Sequence, residues 1–258
     1  MGFEVLYSHM YKPFFWKDIF PGMAYKYAQQ YFLLRKSEER IYSDKEVAGL
    51  PQIDNGHRHY YEWQIRKASS NRLIKYLAKK QKILEILEVG CGNGWLSAKL
   101  SVIPWTQVIG IDINDEELYQ AKRVFGQIEN LEFFNCSLQD EMISDRKFDV
   151  IVFAASVQYF SSLEKALNES LKRLKPGGEI HIIDSHFYEQ NEIDTARMRS
   201  NDYYKAIGFP EMSDQYFHHS LEGLKLFNHD ILYDPHSVIN KLKRIKNPFY
   251  WICIRSNA

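Results

Sequence analysis

The chain has 258 residues, enough to bury a sizeable core, and this length fits one catalytic-sized domain with or without an added cap. Lys and Arg together number 33, and so do Asp and Glu. No global positive field therefore draws the chain to nucleic acid or to an anionic membrane, and nucleic acid is an unlikely partner.

The N-terminal part is rich in aromatic residues and lacks the alternation of a strand. Residues 1–50 carry aromatic side chains throughout, and the stretch GLPQIDNGH leads to a helical pattern over Tyr60–Gln81. These features predict an N-terminal helical cap with a lead-in helix over residues 1–81. No basic segment precedes an apolar core and no run of about 18 apolar residues occurs, so we expect neither a leader nor a membrane span.

From Lys82 onward, short apolar runs alternate with helical patterns, which indicates βαβ units and a parallel sheet. Apolar residues at three- and four-residue spacing predict three crossover helices, and the turn KPGGE is expected to end the last of them. The predicted strands are Ile83–Val89, Gln107–Ile111, Leu131–Asn135, Phe148–Phe153 and Glu179–Ile183. The predicted crossover helices are Trp95–Leu100, Glu116–Gln127 and Leu163–Leu174.

The C-terminal part is expected to be rich in β-structure, with strands in LKLFNHDILYD and FYWICIR. The predicted fold is therefore α/β: a Rossmann-like, doubly wound, mostly parallel seven-stranded sheet with the N-terminal helical cap. The core domain covers residues 82–258, and an insertion over 186–225 is a candidate for binding an acceptor.

A glycine-rich turn follows the first predicted strand. Gly90, Gly92 and Gly94 alternate with other residues, and such a turn lets a ligand touch the backbone beside the positive end of a helix. The spacing differs from the dinucleotide pattern G-x-G-x-x-G at its third glycine. Asp112 ends the second strand about 20 residues further on, where a carboxylate can accept both hydroxyls of a ribose. The sequence thus predicts a ligand with a ribose.

Over Ile83 to Asp184 the sequence resembles the class I S-adenosylmethionine-dependent methyltransferases. LEVGCGNG is similar to the E/D-x-G-x-G-x-G turn of that family, and VIGIDIN is similar to its ribose-binding strand end. FDVIVFAASVQYF resembles the fourth strand, and LKRLKPGGEIHIID resembles the following helix, turn and fifth strand. The four motifs stand in the family's order and spacing, which makes the resemblance more specific than the glycine turn alone.

The resemblance implies that the cofactor is S-adenosylmethionine. Its methionine part and ribose would lie over the glycines, Asp112 would hold the ribose, and Ile113 would cover one adenine face. Many relatives carry an aspartate after the third strand, whereas this chain has Ser137 there, with Asp140 three residues later. The implied cofactor-binding residues are Glu88, Gly90, Cys91, Gly92, Gly94, Asp112, Ile113, Ser137, Leu138 and Ala154.

Methyl transfer requires the acceptor, the methyl carbon and the sulfur to be held in line, and it needs a base only for a protonated acceptor. His186, after the fifth strand, is the candidate base, and Tyr159, after the fourth strand, is a candidate catalytic or pocket residue. Tyr60, Tyr61 or Arg66 in the lead-in helix could reach the carboxylate of the cofactor, although packing on the helix face explains them equally well. The pair His218 and His219 suggests no metal site, because adjacent histidines point apart in a regular element.

We therefore expect a methyltransferase that transfers a methyl group by direct in-line displacement to a small or medium-sized acceptor. The alternatives are a nucleic-acid or protein methyltransferase of the same fold, a nicotinamide oxidoreductase, and a protein that binds the cofactor without turnover. Cys91, Cys136 and Cys253 are odd in number and widely spaced, which favours reduced thiols and a cytoplasmic location. A homodimer is possible, since the aromatic N-terminus could cover a second subunit.

Overall fold

The computed structural model describes residues 21–241 and 245–256, with the backbone alone for 21–28 and 241. Its main feature is a seven-stranded sheet in the order β3-β2-β1-β4-β5-β9-β8. Strands β1 to β5 are mutually parallel, whereas β9 runs antiparallel to both β5 and β8. The sheet strands are β1 (Leu84–Val89), β2 (Thr106–Asp112), β3 (Leu131–Asn135), β4 (Phe148–Ala154), β5 (Leu174–Ile183), β8 (His229–Tyr233) and β9 (Trp251–Arg255). The predicted fold class is therefore confirmed.

Helices cover both faces of the sheet, and a two-stranded ladder lies outside it. The helices are α1 (Pro21–Ser37), α2 (Asp44–Gly49), α3 (Tyr60–Ala78), α4 (Trp95–Leu100), α5 (Asp115–Phe125), α6 (Leu163–Lys172), α7 (Ile193–Ala206) and α8 (Val238–Lys241). The small ladder consists of β6 (Phe187–Tyr188) and β7 (His219–Ser220). Among the described residues, no helix is both long and apolar enough to cross a membrane.

The central strands are apolar on both faces because each face is covered by helices. In β1, Ile86 packs in a core with α3, α4 and α5, while its neighbour Leu87 packs in a second core with α6. Both side chains have no exposed surface. All five parallel strands therefore present their carboxyl ends at one edge of the sheet, where a ligand site is expected in this architecture.

The cap helices lie against this framework and are joined to it by specific contacts. The indole of Trp63 in α3 donates a hydrogen bond to the Tyr42 hydroxyl (2.9 Å) and stacks edge-on against Trp95 at the start of α4 (5.3 Å between ring centroids). On α5, Arg123 forms a bidentate pair with Asp44 of α2. These contacts position the N-terminal helices beside the glycine turn.

Two predicted features differ from the structure. Helix α6 already ends at Lys172, and the KPGGE stretch is part of β5, which pairs with β4 across a register shift between Phe148 and Val150. Proline and glycine marked a break in the helix pattern, but a strand beginning with an irregularity accommodates them equally well. The second predicted crossover helix, Glu116–Gln127, covers Asp115–Phe125 in the structure. Residues 1–20 of the predicted cap lie outside the described residues, and the division at residue 81 remains a prediction.

Candidate cofactor and acceptor site

The glycine turn between β1 and α4 adopts a backbone conformation that few other residues tolerate. Gly90, Gly92 and Gly94 have φ angles of +73°, +52° and +76°. A Cβ on Gly94 would lie 2.5 Å from the ring of Phe133, and a Cβ on Gly90 would lie 2.6 Å from that of Ser156. The turn therefore requires glycine for its conformation and for close packing at these positions.

Asp112 is fixed to this turn by its own carboxylate. One oxygen accepts a hydrogen bond from the backbone N–H of Gly92 (2.7 Å), and the other accepts one from the N–H of Asn114 (2.9 Å). Asn114 then caps α5 by accepting hydrogen bonds from the N–H groups of the first turn. Each carboxylate oxygen of Asp112 retains a second lone pair. The side chain is therefore held in position with acceptor capacity left for two hydroxyl groups.

Glu88, at the end of β1, is buried beneath the turn with 2 % of its surface exposed. Ser97 of α4 donates a hydrogen bond to its carboxylate. Burial raises the pKa of Glu88 to about 8, and the nearby negative charge of Asp112 acts in the same direction. At neutral pH the folded protein therefore keeps a proton on Glu88 that the unfolded chain releases.

The raised pKa of Glu88 predicts that the folded protein loses stability as the pH rises toward about 8. Rising pH favours the unfolded chain between its ordinary carboxyl pKa and the raised value, since only the folded state holds the proton there. Relative to the parent, Glu88→Gln is expected to gain about 3 kcal/mol of stability between about pH 5.5 and pH 8.5. Thermal unfolding of both proteins at the two pH values measures the change. A difference independent of pH would mean that Glu88 is not protonated in the folded protein.

The remaining residues implied to bind the cofactor lie at the ends of β2, β3 and β4. Ile113 is 58 % exposed, whereas Leu138 is 1 % exposed and packs in the core. Ile113 therefore offers the open apolar face on the adenine side. Ser137 is half-buried and Cys136 N–H donates to the carbonyl of Asp112 (3.2 Å), which joins the ends of β2 and β3. The other two members of the implied set are Cys91, which is buried, and Ala154, which is half-buried.

Helix α1 brings two residues to this edge that the sequence reasoning missed. Tyr31 hydrogen bonds to Tyr159, after β4, and their ring centroids are 5.9 Å apart. One turn later, Arg35 extends to Glu117 on α5, with 4.0 Å between Arg35 Nε and Glu117 Oε1. The i, i+4 spacing of Tyr31 and Arg35 is the signal that they share a helix face. The sequence pattern did not show that this face crosses the carboxyl edge of the sheet.

A second cluster lies where α3 passes the end of β5. Asp184 is 5 % exposed and accepts a hydrogen bond from Ser69 (2.6 Å). Arg66, one turn before Ser69, interacts favourably with both Asp184 and Glu117. Burial raises the pKa of Asp184 to about 6, while Arg66 acts in the opposite direction. Arg66 itself forms an ion pair with Glu62 of the same helix (3.0 Å) and acts on Asp184 and Glu117 through its charge.

Strained backbone marks the same edge. Ala155, after β4, and Asp184, after β5, have φ angles of +53° and +54°, a region that side chains with a Cβ rarely adopt. Such strain concentrates at functional sites because only the surrounding structure can maintain it. Both residues flank the end of the sheet where the predicted acceptor would enter.

Aromatic rings from several segments form a row beside the site. Tyr159 packs edge-on against Tyr216 (6.0 Å), which contacts His218 (5.3 Å), and His218 contacts Tyr188 (5.5 Å). Tyr159 is 37 % exposed, and burial raises its pKa, so its hydroxyl stays neutral at neutral pH. We call Tyr31, Tyr159, Tyr216, His218 and Tyr188 the aromatic row.

The predicted base, His186, lies beyond the end of this row. Its ring packs against Phe249 (4.6 Å between centroids) and stacks on Tyr188 (5.8 Å). Partial burial and the positive charge of Arg199 lower the pKa of His186, so the ring is neutral at neutral pH. His186 is exposed, its ring contacts Tyr188 of the aromatic row, and it acts electrostatically on His218.

The described residues also contain one cluster with the ligand types of a metal site: Glu179, His181 and Cys253, all buried. The indole N–H of Trp251 donates to Nδ1 of His181 (3.1 Å), so Nε2 of the same ring carries the proton and donates to Glu179 (3.2 Å). Lys80 forms an ion pair with Glu179 (2.9 Å). The imidazole has no free lone pair and a cation already neutralises the carboxylate, so the cluster fits a structural hydrogen-bond network.

Comparisons with known proteins agree with this geometry. A family model described as "Methyltransferase domain" matches residues 80–247. The demethylmenaquinone methyltransferase of Chlorobaculum tepidum is 35 % identical over 100 residues, which are 39 % of this chain and 40 % of that protein. The malonyl-[acyl-carrier protein] O-methyltransferase of Priestia megaterium is 28 % identical over 131 residues, 49 % of this chain and 47 % of that protein. The matches thus span less than half the length of these two relatives.

Two solved structures share the fold at low sequence identity. A plantazolicin methyltransferase in complex with a desmethyl analogue and SAH superposes with a TM-score of 0.55 at 14 % identity, covering 92 % of this chain and 99 % of that chain. An O-methyltransferase family protein of Burkholderia thailandensis gives a TM-score of 0.54 at 11 % identity over 89 % of this chain and 70 % of that one. Since the family model covers well over half of the 258 residues, the chain belongs to the methyltransferase domain family.

Proposed function

We propose that this protein is an S-adenosylmethionine-dependent methyltransferase that acts on a small or medium-sized acceptor. The observation that carries the proposal is the carboxylate of Asp112, held by two backbone N–H groups beside a turn of three glycines with positive φ. This arrangement offers acceptors to a ribose and an open backbone to the rest of the ligand. The similarity to a demethylmenaquinone methyltransferase and to a malonyl-[acyl-carrier protein] O-methyltransferase supports methyl transfer as the activity.

The described residues fit this cofactor. Asp112 would bind the ribose hydroxyls, Ile113 would cover the adenine, and Ser137 would offer a hydroxyl to the adenine amino group. Arg66 and Arg35 are the cations near the turn that could bind a carboxylate. Bound S-adenosylmethionine supplies a methyl group on a positively charged sulfur, which is an excellent leaving group. The protein's task is then to hold an acceptor in line with that methyl group and to exclude water.

The aromatic row supports an acceptor site next to the cofactor. Tyr159 follows β4 and is fixed by its hydrogen bond to Tyr31 on α1, so it can define where an acceptor rests. Helices α1 and α7 close this side, since Leu34 packs with Tyr204 and Met212. We infer that the row positions the acceptor, and the insertion at 186–225 contributes Tyr188, Tyr216 and His218 to it.

We further propose His186 as the general base for acceptors whose nucleophile carries a proton. Its lowered pKa leaves the imidazole able to accept that proton at neutral pH. His186→Asn is then expected to lower kcat by about 100-fold while leaving cofactor affinity unchanged. The matched control is His236→Asn. His236 is also an exposed histidine, and it lies in the turn between β8 and α8. Unchanged turnover in His186→Asn would show that His186 is not a base and that the rate comes from positioning the acceptor.

Calorimetric titration of the purified protein with S-adenosylmethionine, S-adenosylhomocysteine and NAD tests the proposed function. Micromolar binding of the first two without the third is the expected result. Binding of NAD alone would overturn the assignment in favour of an oxidoreductase. Binding of the first two with no product across candidate acceptors would favour a protein that binds the cofactor without turnover.

We place the protein in the cytoplasm with a small-molecule acceptor as its main partner. All three cysteines, Cys91, Cys136 and Cys253, are buried and free, which suits a reducing compartment. The balanced charge supports the view that nucleic acid is not the acceptor. A homodimer remains a prediction, and sedimentation analysis of the full chain would test it.

A further inference from the structure

The carboxylate of Glu117 lies next to the glycine turn of the proposed cofactor site. Glu117 belongs to the first turn of α5, and its side chain is 18 % exposed. Its Oε2 lies 3.0 Å from the point that a Cβ on Gly92 would occupy. An acidic group at a helix N-terminus is common, because it stabilises the helix dipole. Glu117 differs from its exposed neighbour Glu116 because it faces the glycine turn and not the solvent.

Charged and titratable groups from every surrounding element face this carboxylate. They act on Glu117 electrostatically or are acted on by it, so all of them lie within a short distance of it. The group consists of Tyr31 and Arg35 from α1, Arg66 from α3, Cys91 from the glycine turn, Asp112 from β2 and Tyr159 from the segment after β4. Glu117 therefore interacts with groups from each of these elements.

The carboxylates of Asp112 and Glu117 flank Gly92, and the guanidinium of Arg35 neutralises their negative charge only in part. Asp112 bonds the backbone N–H of Gly92 from one side, and Glu117 approaches the same residue from the other. Arg35 Nε is 4.0 Å from Glu117, which is an ion pair but too long for a hydrogen bond. Among the described residues, this buried Nε has no hydrogen-bond partner. Two like charges at a site built for a ligand favour a ligand that brings positive charge.

We propose that Glu117 and Arg35 set the charge selectivity of the site, with Glu117 favouring the sulfonium form of the cofactor and Arg35 opposing it. This inference rests on the proposed function. S-adenosylmethionine and S-adenosylhomocysteine share the adenosine and the amino-acid part, and they differ in one methyl group and one positive charge on sulfur. A negative charge at Glu117 therefore favours binding of the substrate form over the product form, whose sulfur carries no charge.

The ratio of the two dissociation constants isolates this effect, because contacts to the shared parts of the ligands cancel. Burial raises the pKa of Glu117 to about 7, so titrations at about pH 8 examine the carboxylate form. We expect Glu117→Gln to reduce the preference for S-adenosylmethionine over S-adenosylhomocysteine by about tenfold. Glu116→Gln, on the same helix turn but exposed, is the matched control and is expected to leave the preference unchanged.

Arg35 provides a second variant with the opposite sign. Arg35→Gln removes a positive charge 4.0 Å from Glu117 and is expected to increase the preference for S-adenosylmethionine by about three- to tenfold. Loss of a contact between Arg35 and the cofactor carboxylate would weaken both ligands equally and leave the ratio unchanged. This variant keeps the test decisive even if Glu117→Gln fails to fold, which thermal unfolding would reveal.

The outcomes separate this proposal from the proposed function. If both variants bind the two ligands with the parent's preference, the charge selectivity is overturned while the methyltransferase assignment stands. If Glu117→Gln weakens both ligands by the same factor, Glu117 binds the adenosine or amino-acid part, and the proposal is equally wrong. If the parent binds neither ligand, the proposed function itself fails.

Discussion

Replacing Asp112 by alanine is expected to weaken binding of S-adenosylmethionine by about 2 to 4 kcal/mol, or roughly 30- to 1,000-fold in affinity. The carboxylate would otherwise accept two charge-assisted hydrogen bonds from the ribose. The substitution also leaves the N–H groups of Gly92 and Asn114 without their present partner. Water reaches the half-buried position and can replace those two bonds, so the fold is expected to remain intact. Calorimetric titration gives the affinity, and thermal unfolding confirms the fold.

The matched control for this prediction is Asp115→Ala. Asp115 lies three residues from Asp112 on the exposed side of the first turn of α5. It carries the same charge near the same helix end, so it controls for general electrostatics. Cofactor affinity should change less than about threefold. If Asp112→Ala binds as tightly as the parent, the ribose does not lie at the end of β2 and the placement of the whole cofactor has to be revised.

The sheet could be predicted closely from the sequence, since its strands are short apolar runs bounded by polar or glycine residues. The predicted first strand, Ile83–Val89, differs from the observed Leu84–Val89 by one residue. The third strand, Leu131–Asn135, agrees at both ends. Both strands are read from local pattern alone. The first is buried on both faces, which makes its apolar run nearly continuous, whereas the third is an edge strand with exposed positions at Glu132 and Asn135. The cofactor edge follows from topology, because parallel strands end together.

The contacts of helix α1 with the site could not be predicted in the same way. Helix α1 has no strong apolar stripe, and nothing in its spacing says that Tyr31 and Arg35 cross the carboxyl edge of the sheet. Glu117 appears in the sequence as one of several acidic residues in NDEE, which is typical of a capped helix start. Only the packing of α1 against α5 and the glycine turn distinguishes Glu117 from Glu116. Long-range contacts of this kind leave little trace in local sequence.

The position of His186 also depends on contacts that are distant in sequence. From the sequence, a histidine three residues after the end of the fifth strand is expected beside the acceptor. In the structure Asp184 and Ser185 are buried at that edge, and the chain then turns so that His186 packs against Phe249. The positive φ of Asp184 produces a local change of direction that an extended strand pattern cannot indicate. Its base role therefore remains a proposal to be tested by substitution.

Replacing Gly94 by alanine is expected to destabilise the folded protein by about 2 to 5 kcal/mol. Its φ of +76° strains any residue with a Cβ, and the added methyl group would meet Phe133 at 2.5 Å and Ala121 at 2.9 Å. Phe133 lies in β3 and Ala121 in α5, so the clash would push apart two elements that define the ribose side of the site. Chemical denaturation measures the loss, and cofactor affinity is expected to fall with it.

Gly177→Ala separates the two parts of this effect. Gly177 has nearly the same φ, +72°, but a Cβ there would meet no atom within 4 Å. Gly177→Ala therefore introduces the backbone strain without the overpacking. We expect it to lower the free energy of unfolding by about 1 kcal/mol. The difference between the two variants measures how tightly β3 and α5 pack against the turn. Equal losses would show that Phe133 and Ala121 move aside freely, and the glycine at position 94 would then be required for its backbone conformation alone.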